Sequence, residues 1–282
     1  MYTYIGGFKA VSYTQTLQFA VIWLGLFLAA GLVFYQLPPD VHFVDAVNIA
    51  GKMGKINLVD FKFDLSSRYN IWSGIIGGAF LAISYFGTDQ SQVARYLGGK
   101  SLAEGRMGLM LNGLIKVPMQ FIILGVGVLV FVFYLFNQAP LHFNSNNASR
   151  LSGSAAEQYK VLETQQEKVF EQRRLAVDGM MKAMRKGDDE QAKAAQIEVQ
   201  TLHATELQLR EDARSLIKDH VPDAATKDTD YVFITYVLQY MPIGVIGLLL
   251  AMIIAAACSS GASAINALAT TTVIDLYQRL YK

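Results

Sequence analysis

Residues 231–274 read YVFITYVLQYMPIGVIGLLLAMIIAAACSSGASAINALATTTVI and contain no charged side chain. A helix crosses the hydrocarbon core of a membrane with roughly 20 apolar residues, so this window is about twice as long as one crossing. The pair Met241-Pro242 divides it, because proline disfavours helical backbone in the residue before it. We therefore predict an interfacial helix near 229–240, with its tyrosines at the headgroups, and one long spanning helix near 243–278.

Three further windows without charge precede this one, at 10–39, 69–88 and 117–149. The spans predicted from them cover about 13–36, 70–88 and 107–136, and the third of these begins before its window. The chain is 52% hydrophobic, which a large soluble core would also allow, but its charges are segregated between the windows. We therefore predict an all-α polytopic membrane protein with about four spanning helices, and the lipid bilayer as its first partner.

The stretch 150–228 has the opposite composition, with more than half of the 24 Lys and Arg residues and about two thirds of the 23 Asp and Glu residues. No proline interrupts 155–186 or 189–218, and apolar residues recur there every three or four positions. The residues Gly187-Asp188-Asp189 between them are typical of a turn. We predict a soluble, charged helical hairpin. The chain would then consist of a membrane part at 1–137, the hairpin insertion at 150–228, and a closing part at 229–282.

Three segments, two in the membrane part and one in the closing part, carry a pattern in a fixed order. They are Tyr4 to Val11 followed by Thr14 and Gln18, then Gly87-Thr88-Asp89-Gln90 up to Arg95 with Lys100 to Glu104 behind it, and finally Ala256 through Ser259-Ser260, Ser263 and Asn266 to Asp275-Leu276-Tyr277. Together they resemble the sodium:solute symporter family, which includes transporters of sugars, proline, sialic acid, vitamins and iodide. The resemblance covers the hydrophobic part of the chain.

The resemblance implies the inverted-repeat fold of the leucine transporter, in which two halves contribute five core helices each. This chain would supply about the fifth to the eighth core helix and would lack the first, so we expect a truncated product or a fragment. The implied orientation in the inner (plasma) membrane places 1–10, 90–106 and 278–282 in the cytoplasm and 138–230 outside. The Lys and Arg residues beside the spans favour the same orientation.

In the family, the positions that match Ser259, Ser260 and the carbonyl of Ala256 line a sodium site, and the resemblance implies that role here. Hydroxyl and carbonyl oxygens suit a hard cation in a low-dielectric setting. Hydrogen bonding between neighbouring membrane helices is the simpler alternative for such small polar residues. The rest of the ion site would come from the first core helix, so we expect this chain alone to bind sodium weakly.

Some family members bind a second sodium through an aspartate of the fifth core helix and a serine of the eighth. The matching positions here are Gln15 and Ala262, although Ser263 remains. We therefore expect coupling to one sodium ion, and we expect neither another metal site nor a cofactor.

The resemblance also implies that the residues just before Gly87 face the solute, and these are Ala82, Tyr85 and Phe86. An aromatic pair can stack on a sugar or close an inner gate, while packing or lipid contact is the alternative. Lys116 lies about ten residues into the third span, where an ammonium is unfavourable unless it faces a cavity or a partner. Its position matches a sugar-contacting lysine of a relative, with snorkelling as the alternative. We expect a small polar solute such as a sugar or organic acid, and the alanine at Ala82 argues against a galactose-like one.

Other chemistry has little support in the sequence. His142 and His203 have no companions at metal-ligand spacing, and no nucleophile with a base partner is visible. Asp89 and Asp275 lie at helix ends, where a structural role is favoured, and the balanced net charge of +1 does not indicate nucleic-acid binding. We predict a sodium-coupled symporter that works by alternating access and is not an enzyme. The alternative is a transporter-like sensor or scaffold that binds a protein partner through 155–218.

Overall fold

The computed structural model describes residues 2–57, 61, 70–97, 101–225 and 227–281, and these contain helices, turns and loops but no strand. The predicted all-α class is confirmed. The chain forms two compact units. The first unit comprises Met1–Leu28, Asn57–Leu124 and Ile243–Lys282, and the second comprises Ala29–Ile56 and Gly125–Pro242.

Four of the helices are long and apolar enough to cross a membrane, as the four uncharged windows predict. They are Ala10–Tyr35, Ile71–Thr88, Leu102–Phe136 and Ile243–Tyr281, with mean hydropathy between 1.4 and 2.5. Most of their side chains are exposed, as expected for apolar helices that contact lipid. The chain is a multi-pass membrane protein.

Eleven α-helices are present among the described residues. They are α1 (Tyr2–Tyr35), α2 (Phe43–Lys52), α3 (Ile71–Ile83), α4 (Gln90–Leu97), α5 (Leu102–Phe136), α6 (Ser145–Ser149), α7 (Ser154–Lys186), α8 (Asp189–His220), α9 (Val232–Tyr240), α10 (Ile243–Thr271) and α11 (Gln278–Tyr281). Two wider π-helical turns, Ser84–Thr88 and Thr272–Tyr277, continue α3 and α10, and a short 3₁₀ turn, Thr229–Tyr231, precedes α9.

Local capping explains where several of these helices begin and end. The Ser101 hydroxyl accepts a hydrogen bond from the backbone N–H of Glu104 (3.2 Å) at the start of α5. Gly187 ends α7 with φ +72°, a left-handed conformation that glycine adopts without strain. The Asp188 side chain then accepts from the backbone N–H of Gln191 (3.0 Å) and starts α8. The predicted turn at 187–189 is therefore a C-cap followed directly by an N-cap.

The two helices predicted near 155–186 and 189–218 are present as α7 and α8, which pack along each other as an antiparallel hairpin. A buried apolar cluster holds the base of the hairpin to the neighbouring loops. Its members are Leu141, Leu151, Ala155, Tyr159, Ala213, Ile217 and Val221. Because the loops before α7 and after α8 both contribute, the hairpin base is part of the core of the second unit.

The far end of the hairpin is attached to α2. Arg185, in the last turn of α7, pairs with Asp45 (Nη2 to Oδ2, 2.7 Å) and donates to the carbonyl of Asp40. The side chains of Gln196 and Gln200 donate to the carbonyl of Lys52 at 2.8 and 3.2 Å. That carbonyl lies in the last turn of α2, where carbonyls lack partners within the helix, so two glutamines one turn apart cap it.

The helix expected near 229–240 is present as α9, and its interfacial location stays a prediction, but one of its tyrosines has other surroundings than predicted. Tyr236 is fully buried, its hydroxyl donates to the Gln36 side chain (2.8 Å), and its ring packs against Phe133 (centroids 5.0 Å apart). The prediction that Tyr236 lies at the headgroups is therefore wrong. The helical period turns this position toward α5 and the end of α1.

Asp228 joins three segments of the second unit at one fully buried carboxylate. It accepts hydrogen bonds from the backbone N–H of Phe143 (2.9 Å), from Arg210 (2.8 Å) and from Arg214 (2.6 Å). Burial raises the pKa of this carboxyl, but the Phe143 N–H and the two guanidinium groups outweigh it and hold the pKa below its usual value. Asp228 therefore fixes α8 to the loop after α5.

We expect Asp228→Asn to destabilise the protein by roughly 3 kcal/mol, because the two arginines lose a buried counter-charge. The measurement is the midpoint of thermal unfolding in detergent, with Asp230→Asn at an exposed site as the matched control. Since the folded-state pKa of Asp228 is lowered, its contribution is complete above the unfolded value of 3.8 and is lost as the pH falls through the folded value. Equal midpoints for the two variants near pH 7 would contradict this role.

Candidate ion and solute site

The first unit brings α1 and α10 together through polar side chains. The Gln15 amide donates to the Ser263 hydroxyl (3.0 Å), and the Gln18 amide donates to the carbonyl of Ala255 (3.3 Å). Further along, a Cβ on Gly25 would lie 2.9 Å from the sulfur of Met252, so the two helices approach closely there. Two glutamines and a glycine on one helix therefore set the spacing to the other.

The three residues predicted to bind sodium lie on two faces of α10. Ser259 is buried, one helical turn before Ser263, on the side that contacts α1. Ser260 and Ala256 are exposed and lie one turn apart on another side. The structure thus places one hydroxyl against α1 and leaves the second hydroxyl and the Ala256 side open. Their role in ion binding stays a prediction.

The position at which some relatives have an acid is occupied by a donor in this chain. The Gln15 amide N–H donates to the Ser263 hydroxyl oxygen. A cation at this place would need that oxygen as a ligand, and the amide hydrogen already points at it. The neighbouring Ala262 has no side-chain oxygen. This arrangement agrees with the expectation that only one sodium is coupled, which also stays a prediction.

The candidate solute residues Tyr85 and Phe86 lie in the π-helical turn that follows α3. The backbone N–H of Asp89 donates to the carbonyl of Ser84 (3.0 Å), five residues back, and this wider turn is the kind of irregularity often found at functional sites. The Tyr96 hydroxyl of α4 donates to the carbonyl of Phe86 and holds the turn in place.

Tyr85 and Phe86 line a cavity of about 320 Å³ together with the start of α5. Glu104 and Asn112 contribute polar groups to its wall. The Lys116 ammonium lies 5.3 Å from the centroid of the Tyr85 ring, within the range of a cation–π contact. A second cavity of about 310 Å³ is also lined by Asn112, together with Lys116 and Phe19.

The structure therefore brings together three of the four candidate solute residues. Ala82 is exposed on α3 and lines neither of these two cavities. Asn112 was missed by the sequence analysis, although it lines both cavities. An isolated amide one helical turn before Lys116 in an apolar span was the available signal, because the two positions share a helix face.

The two aspartates expected to be structural have local partners. Asp89 accepts from the backbone N–H of Ser91 (2.9 Å) and from its hydroxyl (2.7 Å) at the start of α4. Asp275 lies 3.9 Å from Arg279, one turn further along the chain. Both contacts are those of helix ends.

Comparison with known proteins gives a family. A sequence model described as the sodium:solute symporter family matches residues 1–156 and 212–282. The unmatched part, 157–211, lies within the hairpin, from the first turn of α7 to the last third of α8. The membrane helices, the loop before α7 and α9 are all within the match.

Individual relatives cover smaller parts. The sodium/iodide cotransporter of Homo sapiens is 33% identical over 138 residues, which are 47% of this chain and 20% of the relative. The sodium-coupled monocarboxylate transporter 1 of Homo sapiens is 31% identical over 111 residues, 39% of this chain and 18% of the relative. The sodium/glucose cotransporter 1 of Oryctolagus cuniculus is 27% identical over 150 residues, 48% and 23% respectively. The chain thus spans about a fifth of the length of these relatives. No solved structure matches.

We expect Gly105→Ala to disturb the first cavity. A Cβ at this position would lie 2.8 Å from the carbonyl oxygen of Tyr96, and a backbone atom cannot turn aside as a flexible side chain can. The cost of such overpacking is roughly 1–3 kcal/mol. Gly108→Ala is the matched control, because Gly108 lines the same cavity and its added Cβ would have nothing within 4 Å. In detergent, the unfolding midpoint should fall for Gly105→Ala alone, and a fall for both variants would contradict this explanation.

Proposed function

The chain belongs to the sodium:solute symporter family, and from this membership we propose that the protein carrying it couples sodium entry to uptake of a small polar solute by alternating access. The observation that carries the proposal is the family match over 1–156 and 212–282, which includes all four membrane helices. The cavities beside Tyr85 and Lys116 support it, because solute sites of such transporters lie among helices whose regular structure is interrupted.

Sodium would bind at α10. The Ser259 and Ser260 hydroxyls and the Ala256 carbonyl supply three oxygens, and further ligands would come from a helix packed against the open side of α10. An ion bound there would favour the conformation that accepts solute from outside, and by linkage the solute would raise the affinity for sodium equally.

The solute would lie against the π-helical turn and the middle of α5. Tyr85 and Phe86 offer aromatic faces, while Asn112 and Lys116 offer N–H donors on one side of α5. Rings and donors of this kind suit a solute with an apolar face and several acceptor oxygens, such as a sugar or an organic acid. The Lys116 ammonium favours the organic acid, because a carboxylate would neutralise its charge within the membrane.

The localisation that we propose is the plasma membrane, with 138–230 outside. The segments 90–106 and 278–282 carry Arg95, Lys100, Arg106, Arg279 and Lys282 and would then face the cytoplasm, in line with the positive-inside rule. The hairpin would stand on the outer surface.

The sodium assignment is tested with Ser259→Ala, Ser260→Ala and the double variant in the protein expressed from its complete gene and reconstituted in vesicles. For the double variant, we expect the sodium concentration that gives half-maximal uptake to rise at least about tenfold, because the ion loses two ligands. Radiolabelled sugars and carboxylates serve as solutes. Cys258→Ala, at the exposed neighbouring position, is the control. Its sodium concentration for half-maximal uptake should stay within about twofold of that of the unaltered protein. Unchanged sodium dependence in the double variant would contradict the assignment.

A sensor or scaffold that binds a protein through the hairpin is the second candidate function. Leu175 and Ile197 favour it, since they are 73% and 65% exposed on α7 and α8. The attachment of the hairpin to α2 argues for an integral part of the second unit and against a free arm.

The double variant Leu175→Glu, Ile197→Glu separates the two functions, because both side chains already face solvent. We expect sodium-dependent uptake within about twofold of the unaltered protein if the hairpin is an accessory to transport. Met181→Glu is the contrasting variant, since Met181 is 1% exposed and its replacement should unfold the hairpin. A complete loss of uptake in the folded double variant would show that transport depends on a partner at this surface.

A further inference from the structure

A cavity of about 240 Å³ lies in the second unit, between the last turns of α5 and the hairpin. Four of its polar lining residues come from α5, α7 and α8, namely Tyr134, Arg173, His203 and Arg210, and Lys55 lies beside α2. It is separate from the candidate solute residues, which all belong to the first unit.

Several hydrogen-bond donors at this cavity lack acceptors. Arg173 is 2% exposed, pairs with Glu206 and donates to the carbonyl of Tyr134 (2.7 Å). Among the described residues, its Nε, the Nε of Arg210 and the Tyr134 hydroxyl have no hydrogen-bond partner. A buried donor without an acceptor is unfavourable, so three of them around one cavity favour an occupant that accepts hydrogen bonds.

The charges around the cavity favour an anion. Lys55, Arg173 and Arg210 line it, while Glu206 is its one lining carboxylate among the described residues. Burial, together with the repulsion of a proton by Arg173, Lys55 and Arg210, lowers the pKa of His203 to about 4. His203 is therefore neutral near pH 7, and the potential at its ring is positive.

The remaining wall of the cavity is apolar. The rings of Phe131 and Phe143 line it together with Val232 and Leu207. The Lys55 ammonium lies 4.8 Å from the centroid of the Phe131 ring, and the Arg210 guanidinium lies 4.5 Å from that of Phe143, so each cation is held beside an aromatic ring. An occupant that matches both walls has an anionic end and an apolar body.

We propose that this cavity is a binding site for a small organic carboxylate. The carboxylate would accept hydrogen bonds from the unpaired donors of Arg173, Arg210 and Tyr134, and its apolar body would lie against Phe131 and Val232. The volume restricts the ligand to a compact molecule of about ten non-hydrogen atoms, at the small end of ligand pockets. The site does not depend on the proposed transport function, because it involves none of the sodium or solute residues.

The test is calorimetric titration of the whole chain in detergent with potassium benzoate in a sodium-free buffer. Benzamide, the neutral compound of the same shape, is the ligand control. We expect benzoate to bind and benzamide to bind at least about tenfold more weakly, because only the former supplies an anionic acceptor. Absence of binding heat with benzoate at concentrations up to about 20 mM, well above a millimolar Kd, would overturn the site.

Two variants test the location. Lys55→Gln should weaken benzoate binding about five- to tenfold, since it removes the exposed cation of the site. The control is Lys218→Gln, which makes the same charge change at an exposed position of α8 and should leave benzoate binding unchanged. Leu207→Glu places a carboxylate at the wall from a half-exposed position and should abolish binding while circular dichroism shows an intact fold. Benzoate binding unchanged in both Lys55→Gln and Leu207→Glu would overturn the proposal.

Two further comparisons separate this site from others. Potassium chloride that displaces benzoate at equal concentration would show a general anion site and overturn the carboxylate assignment. The Ser259→Ala, Ser260→Ala variant should bind benzoate as the unaltered protein does. Loss of binding in that variant would overturn the location, because the ligand would then occupy the first unit.

Discussion

Hydrocarbon offers no hydrogen-bond partner to a peptide group, and the rest of the structure depends on this constraint. It requires every backbone N–H and C=O of a membrane segment to be satisfied within the chain, which a helix achieves. It also keeps most charges out of the spans, with Lys116 as an exception, and gathers them in α7 and α8, where water or an opposite charge is at hand. The chain therefore has two compositions for one reason. In the apolar spans the polar backbone groups bond within the helix, and in α7 and α8 the charged side chains have water or opposite charges as partners.

Where the regular helix is interrupted, backbone groups lose their usual partners within the helix and side chains change direction, so these places can form binding sites. The π-helical turn after α3 carries Tyr85 and Phe86 into a cavity wall, and Tyr96 satisfies one of its carbonyls from a neighbouring helix. By contrast, α5 continues through Pro118 without a break, and its functional candidates are side chains on a regular face. The first unit thus uses an irregular backbone for one wall of the candidate site and a polar stripe for the other.

The sequence predicts the elements well because periodicity and charge are local signals. The windows without charge locate the four spans, and Gly187 with Asp188 locates the hairpin turn. Contacts between distant segments are less accessible, since periodicity gives a face of a helix but does not identify its neighbour. For this reason Tyr236 was assigned to the headgroups although it packs on Phe133, and Asn112 was missed although it lies one turn before Lys116.

The two attachments of the hairpin differ in strength, and the difference follows from burial. At the base, Asp228 is removed from water and held by Arg210, Arg214 and a backbone N–H, so separating any of them leaves a charge unpaired in a medium of low dielectric. At the far end, the Arg185 side chain is 38% exposed, so water and salt screen its pair with Asp45, and such pairs contribute little. The capping of Lys52 by neutral glutamines adds hydrogen bonds that water can replace. Opening of the second unit should therefore begin at α2 and the hairpin turn, while the base stays closed.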